Sequence, residues 1–145
     1  MAEPMRAKIR NFEGADIHKI LAIEEQALPK TAYSKETLLV YAERFPDTFL
    51  VLEDFGDIIG YIIFDADGHV YSMAVGAKHR RKGFGSVLLM HARKKTQKRL
   101  WLEVRSKNLP AIRFYKKMDM KVIGKATDYY GDDDALIMVS EKEEK

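Results

Sequence analysis

Between residues 47 and 93 the hydrophobic pattern changes period, and a basic loop carrying glycines marks the change. Residues 47–53, 58–64 and 70–75 are β-rich runs, separated by Asp54-Phe55-Gly56-Asp57 and by Asp67-Gly68. Such short glycine-containing breaks are hairpin signals, so the three runs predict an antiparallel meander. From Gly83 to Arg93 the spacing becomes helical, with Phe84, Val87, Leu88 and His91 on one stripe. A short β-rich run at 100–104 follows. Strand, helix and strand in this order predict a right-handed crossover onto a roughly parallel neighbour.

The flanks complete the pattern. Residues 15–27 place Ile17, Ile20, Leu21 and Ile23 near helical spacing, with Asp16 near the start. Ser34 is a candidate N-cap for a second helix whose stripe is Leu38, Leu39, Ala42 and Phe45, and Pro46 ends it. A short helix at 110–117 and strands at 122–129 and 135–139 close the chain. The predicted fold class is α/β, a mixed, mostly antiparallel central sheet with helices on both faces. A length of 145 residues suits one domain spanning 1–145.

Composition narrows the function. With 46% hydrophobic and 32% charged residues the chain is neither disordered nor of low complexity. Cysteine is absent, which excludes a disulfide framework, a thiol nucleophile and a thiolate-bound metal; no metal is expected. The N-terminus lacks the apolar core of a secretory signal, and no apolar run reaches membrane-spanning length. The expectation is a cytoplasmic protein with no membrane partner.

The net charge of +3 conceals a basic middle. From Lys78 to Lys107 eleven basic residues face the single acid Glu103, a balance of +10. That segment predicts an anionic partner, whether a phosphate-bearing cofactor, nucleic acid or a membrane surface, or else a solvated helix face. Nucleic acid is the less favoured partner. Single-strand binding uses exposed aromatic residues among the basic ones, and only Phe84 and Trp101 lie there, at apparent core positions.

Two constellations carry chemistry. In the first, Val75 ends a strand, Arg80-Arg81-Lys82-Gly83-Phe84-Gly85-Ser86 follows, and a helix begins. Unpaired amides and the positive end of the dipole at a helix start suit a pyrophosphate, and glycines let it approach. The run is not a Walker A loop, for it lacks the Lys-Ser/Thr ending, nor the dinucleotide fingerprint, for it lacks the third glycine. The plainer alternative is a tight turn with exposed arginines. In the second, Glu103 stands in the strand 100–104, either as a base or in a cross-strand ion pair with Lys or Arg. Asn108 is placed to cap the next helix, and Tyr115 on that helix is either a core residue or a proton donor.

Taken together, these residues resemble the GCN5-related N-acetyltransferase (GNAT) family. Arg80-Arg81-Lys82-Gly83-Phe84-Gly85 is similar to its acetyl-CoA signature, Arg/Gln-x-x-Gly-x-Gly/Ala. The ordered set Leu102-Glu103-Val104-Arg105, Asn108, Ala111, Phe114-Tyr115, Tyr129-Tyr130 and Asp134–Met138 is similar to the branch that acetylates protein N-termini, of the ribosomal-protein-alanine and archaeal types. The resemblance implies the GNAT fold, with acetyl-CoA as co-substrate. The backbone of Met73, Ala74 and Val75 would meet the thioester and pantetheine, Arg80 through Ser86 the pyrophosphate, and Asn108 the pantetheine arm. It further implies Tyr115 as acid toward the CoA sulfur and Glu103 as base through water. Tyr33 and Tyr130 would line the groove for a protein or peptide N-terminus, with a ribosomal protein among the candidate acceptors. A small-molecule amine or a protein lysine is the alternative acceptor. Where the family commonly has Gly-Phe, this chain has Asp119-Met120, which implies a changed turn.

Overall fold

The computed structural model describes residues 7–141. The elements run β1 (Lys8–Asn11), a 3-10 turn (Gly14–Asp16), α1 (Ile17–Ala27), α2 (Lys35–Arg44), β2 (Phe49–Asp54), β3 (Asp57–Phe64) and β4 (Val70–Val75). A second 3-10 turn (Ala77–His79) leads to α3 (Phe84–Thr96), β5 (Trp101–Arg105), α4 (Leu109–Lys117), β6 (Met120–Ala126) and β7 (Ala135–Ser140). The predicted meander is present as β2, β3 and β4, with antiparallel pairing throughout. Phe55 and Gly56 both take positive φ in the first hairpin, the twist that joins right-handed strands with two residues.

The strands form two antiparallel groups, ordered β1-β2-β3-β4 and β5-β7-β6. Among the described residues one parallel bridge, His69 to Trp101, joins them. It is reinforced by the Trp101 amide donating to the Gly68 carbonyl at 2.9 Å. Gly68 has φ +95°, and a Cβ there would stand 2.1 Å from the Arg99 carbonyl oxygen, so glycine is required by both conformation and contact. Beyond this pin β4 and β5 diverge. The expected parallel neighbour is therefore reduced to a single contact, and a gap opens between the two strands.

Alternation along the strands divides the interior in two. Leu50, Leu52, Ile62 and Phe64 pack with Leu88, Leu89 and Ala92 of α3 and Ile112 and Tyr115 of α4. Phe49, Val51, Tyr61 and Ile63 pack with Ile17, Ile20 and Ile23 of α1 and Leu38 of α2. Helices thus cover both faces of the first sheet. Each fully buried large side chain contributes about 1.5–3 kcal/mol.

Two elements differ from the sequence reading. Strand β1 has four residues, two of them charged, too few to show a period. Its Arg10 is held by Asp16 at 2.9 and 3.0 Å and by Glu53 at 3.1 Å. The strand expected at 122–129 ends at Ala126, which leaves Tyr129 in the following loop. At Asp119, where a changed turn was expected, φ is +64°, the left-handed conformation that glycine adopts most readily and Asp tolerates.

Candidate active site

The gap between β4 and β5 is the floor of a cleft of about 990 Å³. It is lined by residues from α1 and its following loop, β4, the start of α3, β5, α4 and the β6–β7 loop.

One side of the cleft is a polyamide cradle. Ladder bonds to β3 engage alternate residues: the Gly76 amide donates to Ile59 at 2.9 Å, and Ala74 and Ser72 stand opposite Tyr61 and Ile63. The alternation turns the backbone groups of Met73 and Val75 toward the gap. Arg81 (φ +65°) and Gly83 (φ +86°) then turn the chain sharply into α3. Gly83 occupies the N-cap position and supplies no side-chain cap, so the amides of the first turn have no side-chain acceptor. Arg80, Arg81, Gly83, Phe84, Gly85 and Ser86 line the cleft, whereas Lys82 is exposed outside it. Arg80 Nε donates to the Val75 carbonyl at 3.0 Å, so this arginine also ties the loop to the end of β4. A Cβ on Gly85 would stand 3.2 Å from the Phe114 ring, which explains the second glycine as helix-to-helix packing.

Helix α4 supplies two more of the expected residues. Asn108 Oδ1 accepts from the Ala111 amide at 3.3 Å, as an N-cap does, and the residue lines the cleft. Tyr115 is buried and also reaches the cleft. Burial raises its phenol to about 12, with a smaller contribution from Tyr130. The phenol therefore holds its proton at neutral pH.

Across the gap, Trp101, Glu103 and Arg105 share the face of β5 opposite to the buried Leu102 and Val104. Glu103 Oε1 lies 2.9 Å from His69 Nε2. The Lys or Arg partner allowed by the sequence is replaced here by an imidazole. The His69 ring lies flat on Trp101, with centroids 3.9 Å apart and 7° between planes.

A second carboxylate, absent from the sequence reading, faces the same cleft. Glu24 of α1 is 0% exposed. Its Oε1 accepts from the hydroxyls of Tyr61 and, at 2.8 Å, Ser72, and its Oε2 from the Tyr33 amide at 2.9 Å. Burial raises its pKa above the usual carboxylate value, against the lowering effect of the Tyr33 amide and the Ser72 hydroxyl. The signal was in the sequence: Ile17, Ile20, Leu21 and Glu24 follow helical spacing, so an acid stands on the buried stripe.

Tyr33 and Tyr130 both line the cleft. Tyr33 donates to the Tyr71 carbonyl at 3.3 Å, and burial raises its phenol strongly. Tyr130 is half-buried, with its phenol raised to about 12, chiefly by burial. The structure thus gathers Glu103, Tyr115, Met73, Ala74, Val75, Asn108, Tyr33 and Tyr130 around one cavity, together with the α3 loop except Lys82.

An uncapped helix start with two arginines, a splayed pair of strands and a hydrogen-bonded carboxylate thus line one cleft. The sequence profile of the Acetyltransferase (GNAT) family matches residues 15–120. The N-alpha-acetyltransferase of Sulfurisphaera tokodaii is 31% identical over 92% of both chains. A protein of Bacillus subtilis described as a putative [ribosomal protein bS18]-alanine N-acetyltransferase is 32% identical over 92% of this chain and 94% of its own. The crystal structure of Ard1 from Thermoplasma volcanium superposes with a TM-score of 0.85 and 28% identity, covering 97% of this chain and all of that one. The chain belongs to the GNAT family of acetyltransferases.

Proposed function

We propose that the protein moves the acetyl group of acetyl-CoA to the α-amine of a protein N-terminus, by direct attack in a ternary complex. The observation that carries this reading is that the uncapped start of α3 and the carboxylate of Glu103 line one cleft, with the buried Glu24 in its wall. The relatives described as an N-alpha-acetyltransferase and as a putative [ribosomal protein bS18]-alanine N-acetyltransferase support the choice of acceptor.

The amides of residues 84–86, with Arg80 and Arg81, would hold the pyrophosphate of acetyl-CoA. The Asn108 side-chain amide would bond the pantetheine arm. The outward backbone N–H groups of β4 would stabilise the oxyanion formed when the amine adds to the thioester carbonyl. Glu103, oriented by His69, would take the amine proton through water. As the carbon–sulfur bond breaks, Tyr115 would give its proton to the departing thiolate. The products are the amide and free CoA, and no covalent enzyme intermediate is needed.

Energetics favour an α-amine. Deprotonation at pH 7 costs about 1–1.4 kcal/mol for an α-amine, with its ordinary pKa of about 7.7–8.0, but about 4.6 kcal/mol for lysine at about 10.4. Lysine and small amines are the second choice of acceptor. A nucleic-acid module is disfavoured: Trp101 is stacked on His69, and Phe84 packs against the first core, so neither offers a free stacking face. Among the described residues no helix is long and apolar enough to cross a membrane. The reaction fits the cytoplasm, where acetyl-CoA meets newly made N-termini, a ribosomal protein among them.

The test is mass spectrometry of a peptide that carries a free α-amine and one internal lysine, incubated with acetyl-CoA and the protein. Acetylation confined to the α-amine is expected. Acetylation of the lysine when the α-amine is blocked beforehand would transfer the assignment to lysine.

A further inference from the structure

Arg105 is half-buried in the acceptor half of the cleft, two residues beyond Glu103 on the same strand face. Its guanidinium carbon lies 4.5 Å from the centre of the Tyr130 ring. Its NH1 is 2.7 Å from Asp132 Oδ1, and Asp132 is also 3.6 Å from Lys30 in the α1–α2 connection. The next residues of the same segment hold the same loop. Ser106 Oγ donates to Asp133 at 2.5 Å, the Lys107 amide donates to the other Asp133 oxygen at 3.1 Å, and the Ser106 amide donates to the Asp134 carbonyl at 2.9 Å. The segment then continues directly into Asn108.

We propose that Arg105 is a positioning residue for the acceptor: its guanidinium, neutralised by Asp132, supports the face of the Tyr130 ring and sets that ring over the acceptor side of the cleft. This deepens the reading of the cleft as an acetyl-acceptor site and rests on it. The physical problem it solves is one of charge. An unpaired guanidinium here would repel an incoming ammonium. Asp132 offsets that charge and the tyrosine ring covers its face, so Glu103, two residues earlier on the same strand face, remains the nearest carboxylate for the amine on β5. Lysine cannot substitute fully, because an ammonium lacks the flat face that stacks on a ring.

The role separates binding from chemistry. Arg105→Met is expected to raise KM for an N-terminal peptide about tenfold, the size of a half-buried cation–ring contact, with kcat and the KM for acetyl-CoA within about twofold of wild type. Arg105→Lys should recover part of the loss. Because Arg105 acts through the ring, the double variant Arg105→Met/Tyr130→Leu should be no worse than Tyr130→Leu alone. A folded Arg105→Met enzyme with unchanged peptide KM overturns the proposal. So does an equal rise in KM for both substrates, or a double variant whose losses multiply. Should Arg105→Met fail to fold, Asp132→Asn with Arg105→Lys carries the test, and unchanged peptide KM in both overturns it equally. Wild-type turnover on the same peptide tests the acceptor reading separately. The carbon-13 signal of the Tyr130 ring reports on the contact itself: in Arg105→Lys it should shift without any substrate present, and an unmoved signal counts against the contact.

Discussion

His69 and Glu103, 34 positions apart in sequence, meet at 2.9 Å directly beside the one bridge that joins the two strand groups. The bridge beyond which the cleft opens therefore also sets the position of Glu103, the base of the proposed reaction. His69 is held on three sides, by Trp101 beneath it, by the Tyr71 ring at 4.3 Å and by the Asp65 carboxylate at its own amide. That support fixes the direction from which Glu103 receives a hydrogen bond.

Breaking this pair is expected to impair chemistry and to spare cofactor binding. Glu103→Gln should lower kcat about a hundredfold, the usual worth of a positioned base. His69→Ala should have a smaller effect in the same direction. Steady-state kinetics of both variants and of the double variant check this, and the combined loss should fall short of the product of the two.

Glu24 links activity to the pH dependence of stability. Its folded pKa is raised above the ordinary 4.5. In the window above 4.5 and up to the raised value, the unfolded chain has lost a proton that the folded chain keeps. Stability from this group therefore falls as pH rises through that window and stays low above it. Glu24→Gln should remove that decline, so the melting temperature of the variant should gain on wild type between pH 4.5 and neutrality. Thermal melts at several pH values measure the difference. The same variant should lose turnover, because an amide cannot accept from Tyr61, Ser72 and the Tyr33 amide together and so loosens the wall of the cleft.

Tyr115→Phe is expected to reduce kcat with little change in affinity for acetyl-CoA. The phenol is raised to about 12, so it is protonated throughout an ordinary assay range and cannot produce an alkaline limb near pH 8–9. A kcat profile whose alkaline decline near pH 9 disappears in Tyr115→Phe would contradict the assignment.

Gly68→Ala tests the pin beneath the cleft. The methyl would collide with the Arg99 carbonyl in a left-handed conformation, and a cost of roughly 2–3 kcal/mol is expected. Denaturant unfolding measures it. Activity should fall further than stability requires, because the gap between β4 and β5 starts at this contact.

Much of the layout was legible in the sequence. The meander, the caps at Ser34 and Asn108 and the helix after Gly83 follow from local rules of period and capping that tertiary packing did not override. What was not legible depends on long-range contact. The splay begins beyond the pin where Gly68 meets Arg99, and the His69–Glu103 pair joins two segments whose proximity no spacing announces. Glu24 could have been found as an acid on an apolar stripe. Its partners, Tyr61 and Ser72, lie 37 and 48 positions away and could not. Lys82 belongs to the basic motif in sequence but is exposed and does not line the cleft.

The most direct test of the central claim is a titration of nitrogen-15-labelled protein with coenzyme A, followed amide by amide. The largest shifts are expected at residues 83–86 and at Met73 and Val75, where the backbone would meet pyrophosphate and pantetheine. Shifts confined to the basic surface at residues 93–99, with those amides unmoved, would contradict the account.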